Sequence, residues 1–271
     1  MRMINKSKAI SILLIGGALC WAGAAAAESL NGRVLGGGKP VANSTVTLWA
    51  AGPGAPQQLA QAKSDFDGRF SLASTNASKE SSLYLVAAGG HSSADKTEGD
   101  NPAIALMSVL GEKLPASVTI NELTTIASVL THNQFVDGAK ISGSPLALRI
   151  AAGNVPNFVD LVTGGYGTNI QDGVNSTQTP TMANFATLGT LLAGCTTRAA
   201  PDACEKLFAA TTSPTGAVPA DTLAAAEAVI RNPGYKADRL FALLDTFYPV
   251  PQGKKMRVTP YLPYLTFAPS A

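Results

Sequence analysis

Charged residues are scarce in this chain. Only 14% of its 271 residues are Asp, Glu, Lys or Arg, and the formal net charge is +2. A chain of this composition is neither a highly charged disordered tail nor a coiled coil, and it lacks the strongly basic surface of many nucleic-acid binders. We therefore expect no nucleic-acid partner. Hydrophobic residues make up 46% of the chain, and 271 residues are enough for one or two domains that each bury a core.

Histidine is scarcer still, and this bears on catalysis. His91 lies in a polar stretch. His132 lies opposite the apolar stripe of a predicted helix, so we expect it to face solvent or to pack at a domain contact. The chain also has no G-x-S-x-G motif. We therefore predict no catalytic residue, and a stand-alone hydrolase would need a carboxylate site that the sequence does not single out.

Long apolar runs are absent after residue 27, so no transmembrane helix is predicted there. The first 27 residues have a basic start, a short apolar run at 9–15 and small residues at 25–27. This pattern is typical of a secretory signal peptide, with cleavage between Ala27 and Glu28, or alternatively at Ala24. Its removal would leave 17 of the 20 basic residues against 18 acidic ones. We expect a nearly neutral protein that is exported to the periplasm or the cell exterior.

Cysteine is also rare, with three residues in the chain. Cys20 lies within the predicted signal peptide, and Leu19 before it fits a lipoprotein signal poorly. Cys195 and Cys204 remain, and in an oxidising compartment they are expected to form one disulfide. The alternative is a reactive or metal-binding pair, but neither histidine lies at zinc-like spacing from them. We predict no metal site and no cofactor.

Residues 28–118 have the pattern of short β-strands. Apolar and polar residues alternate at 45–49, 68–72 and 82–86, and clusters rich in Gly, Pro and Asp separate these segments. Frequent turns between short alternating strands are typical of a small antiparallel β-sandwich.

Within this region, residues 31–34, 38–48, 64–72 and 83–87 form the frame G-x-V, G-x-P-V-x-x-x-x-V and D-x-D-G-x-F. The frame resembles the carboxypeptidase regulatory-like domain over about 60 residues, as far as Ala88. The resemblance implies a transthyretin-like, seven-stranded sandwich of the carbohydrate-binding-like fold group. It implies little about function, because one fold carries many functions.

From about residue 119 the apolar period changes from two to 3.6, which predicts an all-α domain over residues 119–250. The first helix is expected to start in a capping box at Thr119–Glu122 and to end at Asp137-Gly138. Further helices are predicted at 144–150, up to Cys195, at 202–210, at 223–230 and at 240–247. The predicted fold class is therefore α+β and multidomain, with a β-sandwich followed by five or six short helices.

Two other segments of the second half are distinctive. Residues 166–180 are polar and rich in Gly, Asn and Thr, so we expect a long loop that makes a specific contact. Residues 251–271 are apolar and Pro-rich, as in a linker or a strand. The stretches 119–127 and 152–161 are similar to regions preceding β-propellers in exported bacterial proteins of the NHL-repeat and streptogramin-lyase-like kind. No propeller blade is present in this chain, so no lyase residue is carried over.

Two loops could bind ions. Asp65-x-Asp67-Gly68 could begin a calcium loop, but no bidentate Glu follows at the twelfth position, so a tight turn between strands is favoured. The Gly36–Lys39 run has Pro40 where a phosphate loop needs Ser or Thr, so a flexible inter-strand loop is favoured.

Aromatic residues are few, at 6% of the chain, and could stack on sugar rings. The candidates are Trp49, Tyr84, Tyr166, Tyr261 and Tyr264. The strand position of Trp49 favours a buried or half-buried role instead.

These features predict an exported, non-catalytic binding or scaffolding protein of the bacterial cell envelope. Exposed loops or an edge strand of the sandwich would contact a polysaccharide or an exported partner protein. Two alternatives stay open: an accessory N-terminal region of a longer propeller-type or enzyme chain, and the stand-alone hydrolase.

Overall fold

The computed structural model describes residues 29–73, 80–97 and 99–247. The predicted signal peptide, with its cleavage site at Ala27 and Glu28, lies outside these residues, as does the segment 251–271. The described part of the chain is mixed α and β, with antiparallel sheets in its first half and helices in its second.

The strands form two larger sheets and one small hairpin. The strands are β1 (Ser29–Gly36), β2 (Lys39–Ala42), β3 (Thr45–Ala51), β4 (Gln57–Lys63), β5 (Arg69–Ala73), β6 (Ser82–Ala88), β7 (His91–Ser92), β8 (Ala105–Gly111), β9 (Ser117–Ile120), β10 (Val136–Asp137) and β11 (Lys140–Ile141). The first sheet has the order β5-β1-β2-β7, and β9 pairs with β1 in parallel. The second has the order β4-β3-β6-β8, and β10 pairs with β11.

The predicted strands at 45–49, 68–72 and 82–86 are confirmed as β3, β5 and β6, with Gly68 in the turn before β5. Inward-facing residues of both sheets, including Val34, Leu48, Leu72 and Leu85, form one hydrophobic cluster. Each buried aliphatic side chain of this kind contributes about 1.5–3 kcal/mol relative to an exposed one. The alternation of apolar and polar residues in the sequence therefore predicts which side chains lie between the two sheets.

Seven α-helices and one turn of π-helix follow in the described residues. The helices are α1 (Glu122–Thr131), α2 (Pro145–Gly153), α3 (Val155–Phe158), α4 (Thr181–Thr196), α5 (Ala203–Ala210), α6 (Thr222–Arg231) and α7 (Ala237–Phe247), and the π-helix is Val174–Gln178. The sequence missed α3 and the π-helical turn, which interrupts the predicted loop 166–180.

The predicted bounds of the first helix are wrong at both ends. Strand β9 continues to Ile120, so Asn121 caps the helix in place of Thr119, in a capping box with Thr124. The helix ends at Thr131, because the chain then turns and enters the β10–β11 hairpin.

The helices pack on the second sheet. Strands β6 and β8 are apolar on both faces, and Tyr84, Val86, Met107 and Val109 share a hydrophobic cluster with α1 and α4–α7. Strands buried on both faces lose the alternation of half-exposed ones. The second sheet and the helices therefore bury a common hydrophobic core.

Helix hydroxyl groups cover the outer edge of β8. Thr125 Oγ1 accepts a hydrogen bond from the backbone N–H of Met107 at 2.9 Å, and Ser128 Oγ accepts one from Val109 at 3.0 Å. Thr222 Oγ1 accepts from Ala105 N–H and donates to Ala105 O. The backbone groups of this edge strand are therefore paired, which prevents edge-to-edge association there.

Among the described helices, none combines the length and apolarity needed to cross a bilayer.

Candidate functional site

The first sheet presents a polar outer face. Along β1, Leu30 and Val34 point into the core, so Asn31 and Arg33 point outward, as expected of a strand with one face buried. In the antiparallel register with β5, Asn31 lies opposite Ser71 and Arg33 lies opposite Arg69.

Strand β9 extends this face on the other side of β1. In the parallel register Asn31 pairs with Ser117 and Arg33 with Thr119. The outer face therefore carries two transverse rows of side chains, one of amide and hydroxyl groups and one with two guanidinium groups.

A groove of about 530 Å³ lies over these rows. Residues of β4 and of the loop after α3 contribute Lys63 and Val162 to its walls. The polar residues that line the groove come from four strands and one turn: Asn31, Arg33, Lys63, Asp65, Arg69, Ser71, Ser117 and Thr119.

The turn between β4 and β5 forms one end of the groove. Asp65 Oδ1 accepts hydrogen bonds from the backbone N–H of Asp67 at 2.9 Å and of Arg69 at 2.7 Å. Gly68 has φ +72°, and a Cβ there would lie 2.5 Å from the carbonyl oxygen of Val34. The predicted tight turn is confirmed, and it leaves Phe66 at its tip, 81% exposed.

The carboxylates of this turn are already engaged. Asp67 Oδ2 lies 2.7 Å from the Arg69 guanidinium, and Asp65 holds the turn through the two backbone bonds. Across the described residues, no group of three metal-ligating side chains is found, at this turn or elsewhere.

The Gly36–Lys39 run forms the β1–β2 hairpin turn, so it lies between two strands as predicted. The backbone N–H of Gly37 donates to Oε1 of Glu122 at 2.9 Å. A Cβ at Gly36 or Gly37 would come within 2.5 Å of Thr196 or Thr197. The glycines therefore let the turn pack against the end of α4.

The groups with displaced pKa values lie away from the groove. Burial raises the pKa of Glu122 and of Glu227 to about 7, although Arg231, 3.2 Å from Glu227, acts in the opposite direction. Burial lowers the pKa of His132 to about 4 and raises that of Tyr84 to about 12.

The expectation that His132 faces solvent is wrong. Its side chain is 0% exposed, because the chain folds back after α1 and Phe135 packs against the ring. His132 Nδ1 lies within hydrogen-bond distance of Thr131 Oγ1 and Ser128 O. The other histidine, His91, contacts the carbonyl oxygen of Gly99 through Nδ1.

The aromatic candidates within the described residues pack against the core. Trp49 is half-buried, as the sequence favoured, and its ring stacks on Tyr84 with 6.5 Å between centroids. Tyr166 lies 6.2 Å from Phe185. Tyr261 and Tyr264 lie outside the described residues.

The polar side chains of residues 166–180 mainly stabilise that segment itself. Gln171 donates to the carbonyl oxygens of Tyr166 and Gly167, and Asn175 donates to Asn169 O. Asp172 accepts from the backbone N–H groups of Val174 and Asn175. We therefore place the candidate site in the groove, and the specific contact predicted for this segment stays a prediction.

The disulfide between Cys195 and Cys204 is present and joins the end of α4 to α5. The buried Asn101 donates to Cys195 O at 2.9 Å. Arg198, on the turn closed by the disulfide, donates to the carbonyl oxygens of Gly99 and Asp100. The disulfide region thus fastens the segment between β7 and β8 to the helices.

Sequence reasoning missed the groove residues Asn31, Arg33, Lys63 and Arg69 as a group. The outward positions of Asn31, Arg33 and Arg69 were readable from the alternation in β1 and β5. Their proximity depends on the antiparallel β1–β5 register and the parallel β1–β9 register, which join segments up to about 86 residues apart.

Comparisons with known proteins give no assignment. The chain matches no family model and no curated protein. Among solved structures, it has a partial similarity to a 9R-lipoxygenase from Cyanothece PCC8801, with 18% identity and a TM-score of 0.23. The match covers 34% of this chain and 15% of that one.

Proposed function

We propose that this chain is an exported, non-catalytic binding protein of the bacterial cell envelope that holds a polysaccharide in the groove over β5, β1 and β9. The observation that carries the proposal is the groove itself. It is open, about 530 Å³ in volume, and its floor is a surface of paired strands that presents amide, hydroxyl and guanidinium groups outward. Outward-facing polar side chains on paired strands suit the hydroxyl-rich surface of a glycan, because strands position side chains more precisely than loops do.

Several observations support the carbohydrate-binding-like fold that the sequence motifs suggested. Two sheets share one hydrophobic cluster, and the D-x-D-G-x-F segment forms the turn beside the groove. We propose on these grounds that residues 28–118 form a transthyretin-like β-sandwich. The ligand site we assign lies on an outer sheet face rather than on the loops or edge strand expected earlier.

Export is proposed from two independent features. The basic, apolar and small-residue order of residues 1–27 is that of a signal peptide. The disulfide between Cys195 and Cys204 is a bond that persists in oxidising compartments.

The chemistry of the groove supports binding without turnover. Among the described residues that line it, Asp65 is the sole carboxylate, and its Oδ1 holds the turn. Most glycosidases need two carboxyl groups across the scissile bond. The carboxyl groups with raised pKa values, Glu122 and Glu227, are buried elsewhere.

Affinity electrophoresis of the full chain, through native gels containing a series of soluble polysaccharides, tests this function. We expect at least one polysaccharide to retard the protein without being degraded. The double variant Asn31→Ala/Ser71→Ala should weaken that retardation about tenfold, the typical effect of losing a few polar contacts. Asn31 and Ser71 both have exposed side chains, so the double variant should still fold.

Val218→Ala is the matched control. Val218 is an exposed apolar residue that does not line the groove. Its truncation should leave retardation unchanged. The proposal is overturned if no polysaccharide retards the protein, if the Asn31→Ala/Ser71→Ala variant binds like the wild type, or if the glycan is cleaved.

A further inference from the structure

Two arginines face each other across the floor of the groove. Arg33 on β1 and Arg69 on β5 are direct partners in the antiparallel register. Val34 N–H donates to Gly68 O at 2.8 Å, so the neighbouring Arg33–Arg69 pair is a non-hydrogen-bonded one. Side chains approach most closely at such pairs, and like charges placed there destabilise the sheet. A pairing that costs stability is a reason to look for a ligand.

The protein neutralises only part of this charge. Arg69 has Asp67 at 2.7 Å, but Arg33 and Lys63 form no ion pair with any described residue. Both side chains line the groove and belong to exposed residues. Two cations in the groove are therefore available to a ligand.

This clustering is local. The whole chain has 20 basic and 18 acidic residues, so the average surface is nearly neutral. Of the residues that the structure describes, three basic ones and one acidic one line the groove. The positive potential there is thus a property of this site, and it attracts anions.

The floor also limits what kind of anion fits. Strand β1 is paired on one side with β5 and on the other with β9, so its backbone groups are engaged over residues 31–33. An extended peptide cannot add there as a further strand, which is the common way for a sheet to hold a peptide. Recognition on this floor must come from side chains such as Asn31, Ser71 and Ser117.

We propose that the groove binds an acidic polysaccharide, with Arg33 and Arg69 together receiving one oxyanion group and Lys63 a second. The planar guanidinium groups suit bidentate contact with carboxylate or sulfate, and the neighbouring amide and hydroxyl groups suit the uncharged part of a sugar. This inference rests on the proposed polysaccharide-binding function and specifies the ligand class for the same groove.

The experiment uses the full chain and two matched pairs of probes. Polygalacturonate and its methyl ester share one backbone and differ in carboxylate charge, and dextran sulfate and dextran differ in sulfate. We expect retardation by polygalacturonate, by dextran sulfate or by both, and at least tenfold weaker retardation by the neutral counterparts. The two acidic probes distinguish a carboxylate from a sulfate ligand.

Charge-neutralising variants locate the contact. Arg33→Gln and Arg69→Gln should each weaken binding of the acidic probe about tenfold, the effect of losing one charge-assisted hydrogen bond. Arg239→Gln removes the same charge from an exposed position on α7 outside the groove and should have no such effect. Raising the salt concentration from about 0.02 M to about 0.5 M should weaken binding, because exposed charges are screened.

The outcomes separate this inference from the function on which it rests. Equal retardation by charged and neutral probes, lost in Asn31→Ala/Ser71→Ala but kept in the arginine variants, would retain the polysaccharide function and overturn the acidic ligand. Poly-glutamate is added as a protein-like acidic probe. If the protein binds poly-glutamate but no polysaccharide, the acidic-polysaccharide ligand and the polysaccharide-binding function are both overturned in favour of an acidic protein partner. Equal weakening by Arg239→Gln would show a non-specific charge effect and overturn the assignment to this groove.

Discussion

The carboxylate of Asp95 lies 3.2 Å from a guanidinium nitrogen of Arg198, and the Asp95 side chain has no solvent exposure. Asp95 Oδ1 also accepts hydrogen bonds from the backbone and hydroxyl groups of Thr97. This ion pair links the segment after β7 to the turn that the disulfide closes. It is a buried contact between two regions separated by about 100 residues of sequence.

Removing one partner of this pair should be costly. We expect Arg198→Met to lower the free energy of unfolding by about 3 kcal/mol, because it leaves a buried carboxylate without its counter-charge. The double variant Asp95→Asn/Arg198→Met should lose less than the two single variants added together. Urea unfolding of the four proteins measures this coupling, and strictly additive losses would contradict it.

The disulfide should stabilise the same region. Replacing Cys195 and Cys204 by Ser should lower the free energy of unfolding by about 2–3 kcal/mol, as expected for so short a closed loop. Asn101 should keep its bond to Cys195 O, since that acceptor is a backbone atom. The check is an intact mass with and without reductant, combined with urea unfolding. A doubly substituted protein as stable as the oxidised wild type would contradict the prediction.

The buried Glu122 should make stability depend on pH. Its pKa rises from an ordinary 4.5 to about 7 in the folded protein, so between these pH values the folded state binds more protons than the unfolded state. The free energy of unfolding should therefore fall as the pH rises through this window, by roughly 3 kcal/mol. The effect is absent below about pH 4.5 and complete above about pH 7.

Glu122→Gln should reduce this dependence, because the amide oxygen can still accept from Gly37 N–H without becoming charged. Glu227, whose pKa is also raised to about 7, contributes the same dependence in both proteins. His132, whose pKa is lowered to about 4, acts in the opposite direction below pH 6.5 but is the same in both proteins. Urea unfolding at pH 5 and pH 8 gives the two differences to compare. Glu205→Gln, at an exposed position on α5, is the control and should behave like the wild type. An unchanged slope in Glu122→Gln would contradict the assignment.

Gly68 should tolerate no side chain. Gly68→Ala would combine a positive φ with a contact of 2.5 Å to Val34 O, and we expect it to lower the free energy of unfolding by about 1–3 kcal/mol. Gly54→Ala is a matched control in a turn with nothing within 4 Å of the new Cβ, and it should change stability by less than about 0.5 kcal/mol. Equal effects of the two substitutions in thermal or urea unfolding would show that the turn can relax.

Much of the local structure could be predicted from the sequence, because local rules determine it. Alternation in β3, β5 and β6 comes from the two-residue period of a strand, and the D-x-D-G turn comes from the backbone preferences of Asp65 and Gly68. The helices at 144–150, 202–210 and 223–230 could be recognised from their apolar period and caps. The disulfide could also be predicted, because two cysteines lie close together in the sequence and an oxidising compartment was expected.

Other features depend on contacts between segments that are distant in sequence, and these could be seen only in the folded structure. His132 is buried because residues 133–136 fold back over it, and the Gly37 turn is held by Glu122, 85 residues away. The groove exists because β1 pairs with both β5 and β9, which brings Arg33 opposite Arg69 and beside Thr119. The local pattern of residues was enough to show which side of a half-exposed strand such as β1 or β5 is polar. Strand register, which depends on how two whole sheets bury their apolar faces, decided which polar side chains meet.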